Sequence, residues 1–481
     1  MNSVLLLILF PLISAVLVFF AGRKFAGKIA LTASVLSLFN FLYLMSSFHP
    51  HQGVTGSLMF NWIPGINAEF NMGLDAQSLI LMLLTSLVVP IGITASLPKA
   101  EEKGATYYGL LLLGLSALLG FFAAQNAVTF YVFFEAALIP FYLIVLMHGG
   151  PDRKKAVFKF FLYTVFGSLL MLGAIIYFYS LIGVNKAGDW STMYLIDLPL
   201  HAQMWILGAL FIAFAIKSPL FPFHTWQADL YTQADRPTVI IIAAVLSKMG
   251  VFGMLRFYNV VPEAIDSMRF VLVGLCLIGV IYGALVAWRQ SEMTRIVAYS
   301  SLSHMGMIAA ALFSGTVSGL EGSLFQMFTH GILAAALFFV IDVLMQRSNH
   351  PSVYGYTGLA KSQPRLAVYF FVIVLASVGL PLTNGFIGEL YMLWGITEYN
   401  LWLGAIAGVS IILGAVYMLR FFQKSMMGES VEENKSFIPL RIQEDYIFII
   451  LMFIILSFGL FPKAWLELSE YAVAQFAHFK I

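Results

Sequence analysis

Apolar residues in this chain run in long continuous stretches, where a soluble strand would alternate and a soluble helix would show a single apolar stripe. An α-helix needs about 20 such residues to cross a hydrocarbon core. Stretches of that order, bounded by charges or Gly/Pro clusters, predict transmembrane helices at 3–20, 28–46, 74–97, 106–123, 125–147, 157–183, 202–232, 237–260, 270–290, 294–314, 320–345, 366–398, 401–425 and 443–463. The expected fold class is an all-α polytopic membrane protein of about 14 transmembrane helices, with no stretch left over for a soluble domain. The N-terminal "MNSVLLLILFPLISAVLVFFAGRK" lacks a basic n-region and carries its positive charges after the apolar run, so it is expected to be the first of these helices rather than a signal peptide.

Two spans are interrupted by Pro and Gly: "KSPLFPFHTW" within 202–232 and "SVGLPLTNGFIGELYML" within 366–398. If helices 4–8 and 9–13 form two inverted five-helix repeats, the breaks fall in helices 7 and 12, the fourth of each repeat. Broken helices so placed line polar paths in membrane transporters. The expected organisation is one transmembrane domain over 1–481, with N-terminal helices 1–3 in 1–105, the first repeat in 106–260, the second in 261–425 and a C-terminal helix in 426–481. Identity between the two halves is slight, so the repeat rests on hydropathy and position.

Composition sharpens the picture. The chain is 60% hydrophobic and 10% charged, against roughly 25% charged in soluble domains, and nothing in it points to nucleic acid. Cys276 is the only cysteine, which excludes a thiolate-ligated iron–sulfur cluster, a Cys-based zinc site and an internal disulfide. With the N-terminus outside, only Lys186, Arg256, Arg269, Lys463 and Lys480 fall on the outer side. All other Lys and Arg except the intramembrane Lys217 and Lys248 gather on the cytoplasmic side. One missed helix would scramble that bias, so both termini are expected outside.

Four ionisable residues lie deep in apolar spans: Glu135, Lys217, Lys248 and Glu389. Each costs about 2.5–3.5 kcal/mol at a helix centre unless paired or hydrated. Two of each sign suggest mutual pairing. Burial disfavours the charged form of such groups and an opposite charge restores it, so moving the partner moves the proton. The functional reading is a proton relay; the plainer one is a static ion pair that fixes helix packing. Pro219 and Pro222 free backbone carbonyls just after Lys217, and freed backbone at membrane depth is tolerated only beside a cavity or within protein. Were the helix regular, His224 would lie on the face of Lys217 about 10 Å along the axis, placed to pass protons toward the cytoplasm. His304 and His330 bridge the span between Lys248 and Glu389, or pack as hydrogen-bonded membrane histidines. Ser300, Ser301 and Ser303 could hold water beside His304. Asp229 and Asp342, nearer the cytoplasmic face, read as solvated or structural.

The stretches "FYVFFEAALIPFYLI", "KSPLFPFHTWQAD", "VLSKMG", "SSLSHMGMI" and "GFIGE", in that order, resemble the antiporter-like proton-channel subunits of respiratory complex I, the NADH:quinone oxidoreductase, and their relatives in multisubunit sodium/proton antiporters and membrane-bound hydrogenases. The resemblance covers most of the chain. It implies an ion-translocation path through Glu135, Lys217, Lys248, His304, His330 and Glu389, to which the reading of the break adds His224, with no cofactor, no metal site and no bond chemistry in this chain. A glutamate at the position of Glu389, where lysine is usual in the L-type and N-type subunits, resembles the M-type subunit. One departure stands out: the family's A-P-T-A-G-S-like turn reads "ADRPTV" here, which alters the cytoplasmic side near His224. The expected function is proton translocation driven by redox chemistry in partner subunits, in a bacterial plasma membrane, beside neighbouring antiporter-like subunits. The alternative is a subunit of a sodium/proton antiporter or membrane-bound hydrogenase, with sodium as a second candidate ion.

Overall fold

Caps and breakers set the helix ends where the hydropathy pattern placed them, as the computed structural model of the chain shows. It describes residues 3–49, 53–64, 68–182, 190–348, 350–429 and 437–477. Lys186 and Lys480, assigned to the outer side above, and Lys435, one of the basic residues assigned to the cytoplasmic side, lie outside the described residues. In chain order the elements are α1 Ser3–Phe20, α2 Arg23–Ser46, β1 Thr55–Ile63, β2 Ala68–Leu74, α3 Ala76–Ser96 and α4 Ala100–Ala123. There follow α5 Ala127–His148, α6 Arg153–Ile182, α7 Leu200–Lys217, α8 Thr225–Gln233, α9 Arg236–Tyr258 and α10 Pro262–Arg289. The remainder are α11 Met293–Phe313, α12 Val317–Ser348, α13 Pro364–Ser377, α14 Asn384–Tyr399, α15 Leu401–Met426, α16 Ile442–Leu460 and α17 Lys463–Ala477.

The described residues hold 12 helical stretches long and apolar enough to cross a membrane. One of them, Ala76–Ala123, has 48 residues and would reach about 70 Å if straight, more than twice a hydrocarbon core. It turns at Leu97–Lys99 and at Gly104, whose φ of 72° only glycine adopts freely, and so is α3 followed by α4. With α13 and α14 taken as one broken span, every helix expected from hydropathy is present. Asp75 caps α3 through a bond from Ser78 N at 2.8 Å, Asn126 caps α5 from Thr129 N at 2.8 Å, and Asn400 caps α15.

One feature departs from the sequence reading. The 47–73 connection contains an antiparallel hairpin, β1 with β2, pairing Leu58 with Met72 and Phe60 with Phe70. Its short aromatic alternation is the period of a strand, which a search for 20-residue runs passes over. It is joined to α5 by Asn126 Nδ2 donating to Glu69 O at 2.9 Å and Asn71 N to Thr129 Oγ1 at 3.1 Å. Arg256, placed on the outer side by the Lys and Arg distribution, meets the start of α3. It is buried near the end of α9, 2.6 Å from Asp75, with both side chains almost wholly shielded. Asp75 also accepts from Gln125 Nε2 at 3.1 Å, so the cap of α3 doubles as the counter-charge.

The chain forms two compact units. One comprises residues 1–219, 245–270 and 468–481, and the other residues 220–244 and 271–467. In the first, α9 supplies the core: every residue from Lys248 to Tyr258 is buried. Gly250 and Gly253 let it approach α7, because a Cβ on either would collide with Phe214, and on Gly250 with Ser218 as well. In the second, α12 is the core helix, buried throughout Gly322–Leu344. It meets α14 along a glycine seam, where a Cβ at Gly322 would strike the backbone of Tyr391 and Met392, one at Gly395 that of Gly319, and one at Gly388 the side chain of Gln326. Leu17 and Phe20 of α1, Trp402 and Ile412 of α15, and Phe453 of α16 face outward, as lipid-facing positions require.

Candidate functional site

The first unit holds Glu135, Lys217 and Lys248. Helix α7 ends at Lys217, where the sequence places Ser-Pro next, and resumes as α8 only at Thr225. The regular spacing that would align His224 with Lys217 is therefore absent. Lys217 is 2% exposed. Its ammonium lies 4.5 Å from the centroid of the Phe134 ring and makes no hydrogen bond within the described residues. The charge of Glu135, one residue beyond Phe134, acts on it through space. The expected pairing of the two is thus a field rather than a contact ion pair, with the aromatic face supplying the close interaction.

Lys248 is fully buried on α9, just after a π turn over Ile242–Leu246. Such widened turns are frequent at functional positions. Its Nζ donates to Ser247 Oγ at 3.2 Å, and the Ser247 carbonyl accepts from Ser218 Oγ at 2.9 Å. Two adjacent Ser–Lys pairs are thereby stitched together, Lys217 with Ser218 and Ser247 with Lys248. Sequence reasoning missed both serines, although their places beside the two lysines were a readable signal.

The second unit holds His224, His304, His330 and Glu389. His224 is buried, with ring centroids 5.8 Å from Phe221 and 5.1 Å from Tyr282. His304 on α11 has its Nδ1 3.8 Å from Glu389 Oε1, and its ring centroid lies 5.3 Å from that of His330 on α12. Three of the expected residues thus form one continuous line, His330–His304–Glu389. Glu389 sits in the first turns of α14, and the break wraps over its carboxylate at Gly379. There φ is 70° and a Cβ would collide with Oε2.

Two small cavities flank His304. One is lined by Ser303, Met307, Ser377, Glu389, Ser410 and Tyr417 with His304, and is large enough to admit water. The other is lined by Ser300, Ser301, Gln326, His330 and Ser377 with His304. Asp229, read as solvated or structural, is half-exposed and faces Arg295 at 3.7 Å. Asp342 is buried and accepts from Gln346 Nε2 at 2.7 Å. Among the described residues no cluster of His, Cys, Asp and Glu could hold a metal ion.

These features define a class: a polytopic helical membrane protein with ionisable side chains buried beside the breaks of two helices. The family described as NADH:quinone oxidoreductase/Mrp antiporter, TM, matches residues 124–414, and the chain belongs to it. Among its relatives, the NADH-quinone oxidoreductase subunit M of Rickettsia bellii is 37% identical over 97% of this chain and 96% of that one. A chain of respiratory complex I from Thermus thermophilus superposes with a TM-score of 0.90 and is 31% identical, covering 98% of this chain and 99% of its own. A chain of the Mrp complex from Dietzia shares the fold at a TM-score of 0.87 with 21% identity, covering 98% and 97%. The resemblance drawn from the motifs is borne out along the length of the chain.

Proposed function

We propose that this chain is the M-type, proton-translocating membrane subunit of an NADH:quinone oxidoreductase, driven by redox chemistry in partner subunits. The observation that carries the reading is end-to-end similarity to subunit M relatives, joined to a buried glutamate in contact with His304 at the second helix break. The path runs through Glu135, Lys217 and Lys248 in one unit and His330, His304 and Glu389 in the other, with His224 beside the first break. Each side chain holds or passes a proton, and none makes or breaks a bond to carbon. Each charge moved against the membrane potential costs about 2.3 kcal/mol per 100 mV, so the drive comes from outside the chain. Its partners are the neighbouring membrane subunits and the lipid. Bacterial subunit M relatives support a bacterial plasma membrane, and the distribution of Lys and Arg supports both termini on the outer side.

The test is Lys217→Ala in the assembled complex, reconstituted in vesicles with NADH and quinone. Proton uptake per electron pair is expected to collapse while the complex stays intact on a native gel. Normal pumping by the variant would remove Lys217 from the path, and a wild-type complex that moves no protons would remove the function.

A further inference from the structure

One polar contact in the second unit lies outside the line His330–His304–Glu389. Tyr417 on α15 is 3% exposed, and its hydroxyl lies 3.0 Å from Ser300 Oγ on α11, with either oxygen able to donate. Tyr417 lines the cavity that holds Glu389. Ser300 lines the other cavity, with His330. The two cavities are therefore joined twice, once by the His304 ring and once by a pair of hydroxyls that a helix not used by the rest of the path completes.

We propose that Ser300 and Tyr417 form a second proton branch between the His330 side and Glu389, parallel to His304. The proposal rests on the proton-translocating reading above. A hydroxyl accepts a proton on a lone pair while donating its own onward. A proton arriving at Ser300 from water beside His330 is passed on, Ser300 gives its original proton to Tyr417, and Tyr417 gives its own to water beside Glu389. Every oxygen ends with the protons it began with, and rotation about the two C–O bonds resets the pair. Neither hydroxyl has to ionise, so the branch carries protons without a stable charge on either residue. His304, by contrast, holds the transferred proton as a cation beside the glutamate, and that cation can be arrested by the carboxylate it serves. The branch supplies a neutral route around that resting pair.

Parallel routes leave a signature that a packing role does not. Tyr417→Phe keeps the ring and removes one oxygen; His304→Gln keeps a hydrogen-bonding side chain and removes the titrating ring. In vesicles, each single variant is expected to lower proton uptake per electron pair by no more than about twofold, because the other route remains. The double variant is expected to lose more than about tenfold, far beyond the product of the singles. Ser300→Ala should reproduce Tyr417→Phe in both backgrounds, which guards against a folding defect peculiar to Tyr417. A double variant no worse than His304→Gln alone overturns the proposal, as does a Tyr417→Phe defect equal in both backgrounds. A wild-type complex that pumps nothing overturns the functional reading instead.

Discussion

At the scale of single residues, the two halves of the proposed path rest their charges differently. Lys217 leans on an aromatic face with Glu135 acting from further off, and Glu389 leans on a histidine. In the proposed path Glu135 supplies a negative field, which an amide cannot do and a shorter carboxylate does less well. Glu135→Gln is expected to lower proton uptake per electron pair more than about tenfold, and Glu135→Asp to retain a measurable part of it; equal pumping by Gln and wild type would leave Glu135 a packing residue. Glu389→Lys places a fixed cation beside His304 and under the wrap at Gly379, a pocket arranged for a carboxylate. Pumping should be lost with assembly intact, while Glu389→Asp shows a milder defect. Full pumping by Glu389→Lys would show that this position accepts either sign and is no marker of the M type. The ionisable residues themselves were legible in the sequence because charge stands out against apolar runs. Ser218, Ser247 and Tyr417 were not, because hydroxyls inside apolar helices are as common in packing as in conduction.

At the scale of elements, the breaks were legible because proline and glycine act locally, within a turn of where they stand. The π turn before Lys248 and the hairpin β1–β2 were not. One is set by what α9 packs on, and the other by pairing between segments that hydropathy windows average away. The same limit holds for Arg256: the Lys and Arg distribution assigns it a side of the membrane but does not reveal its burial against the cap of α3. A buried pair of this kind is more costly to halve than to delete, since the survivor keeps its desolvation cost without its partner. Arg256→Leu or Asp75→Ala alone should destabilise the subunit by about 3–5 kcal/mol, read as a lower thermal midpoint of the detergent-extracted complex. The double variant should recover part of the loss. If the losses of the two singles simply add in the double variant, the two residues do not act as a pair.

At the scale of the whole molecule, the sequence made the number of spans legible because bilayer thickness fixes a length and little else. The compact units part within the first break and within α9, α10 and α17, and contact patterns of that sort leave no mark in local composition. The orientation can be tested simply, because Cys276 is the only cysteine and is buried. New cysteines at Gly22 and at Lys463 should be labelled by a membrane-impermeant maleimide from opposite sides, Lys463→Cys from outside intact cells and Gly22→Cys only from everted vesicles. The reverse pattern would invert the topology. The glycine seam between α12 and α14 carries a mechanical meaning beyond packing. Interdigitated side chains work as the teeth of a ratchet, and a helix pair held by them moves in whole-turn jumps. The seam at Gly322, Gly388 and Gly395 has few teeth. A short axial stroke of α14 along α12 would draw the Glu389 carboxylate toward or away from His330 and His304 without unlocking a row of rotamers, so a push delivered at either end of that helix would be felt as a change in how tightly the acid holds its proton.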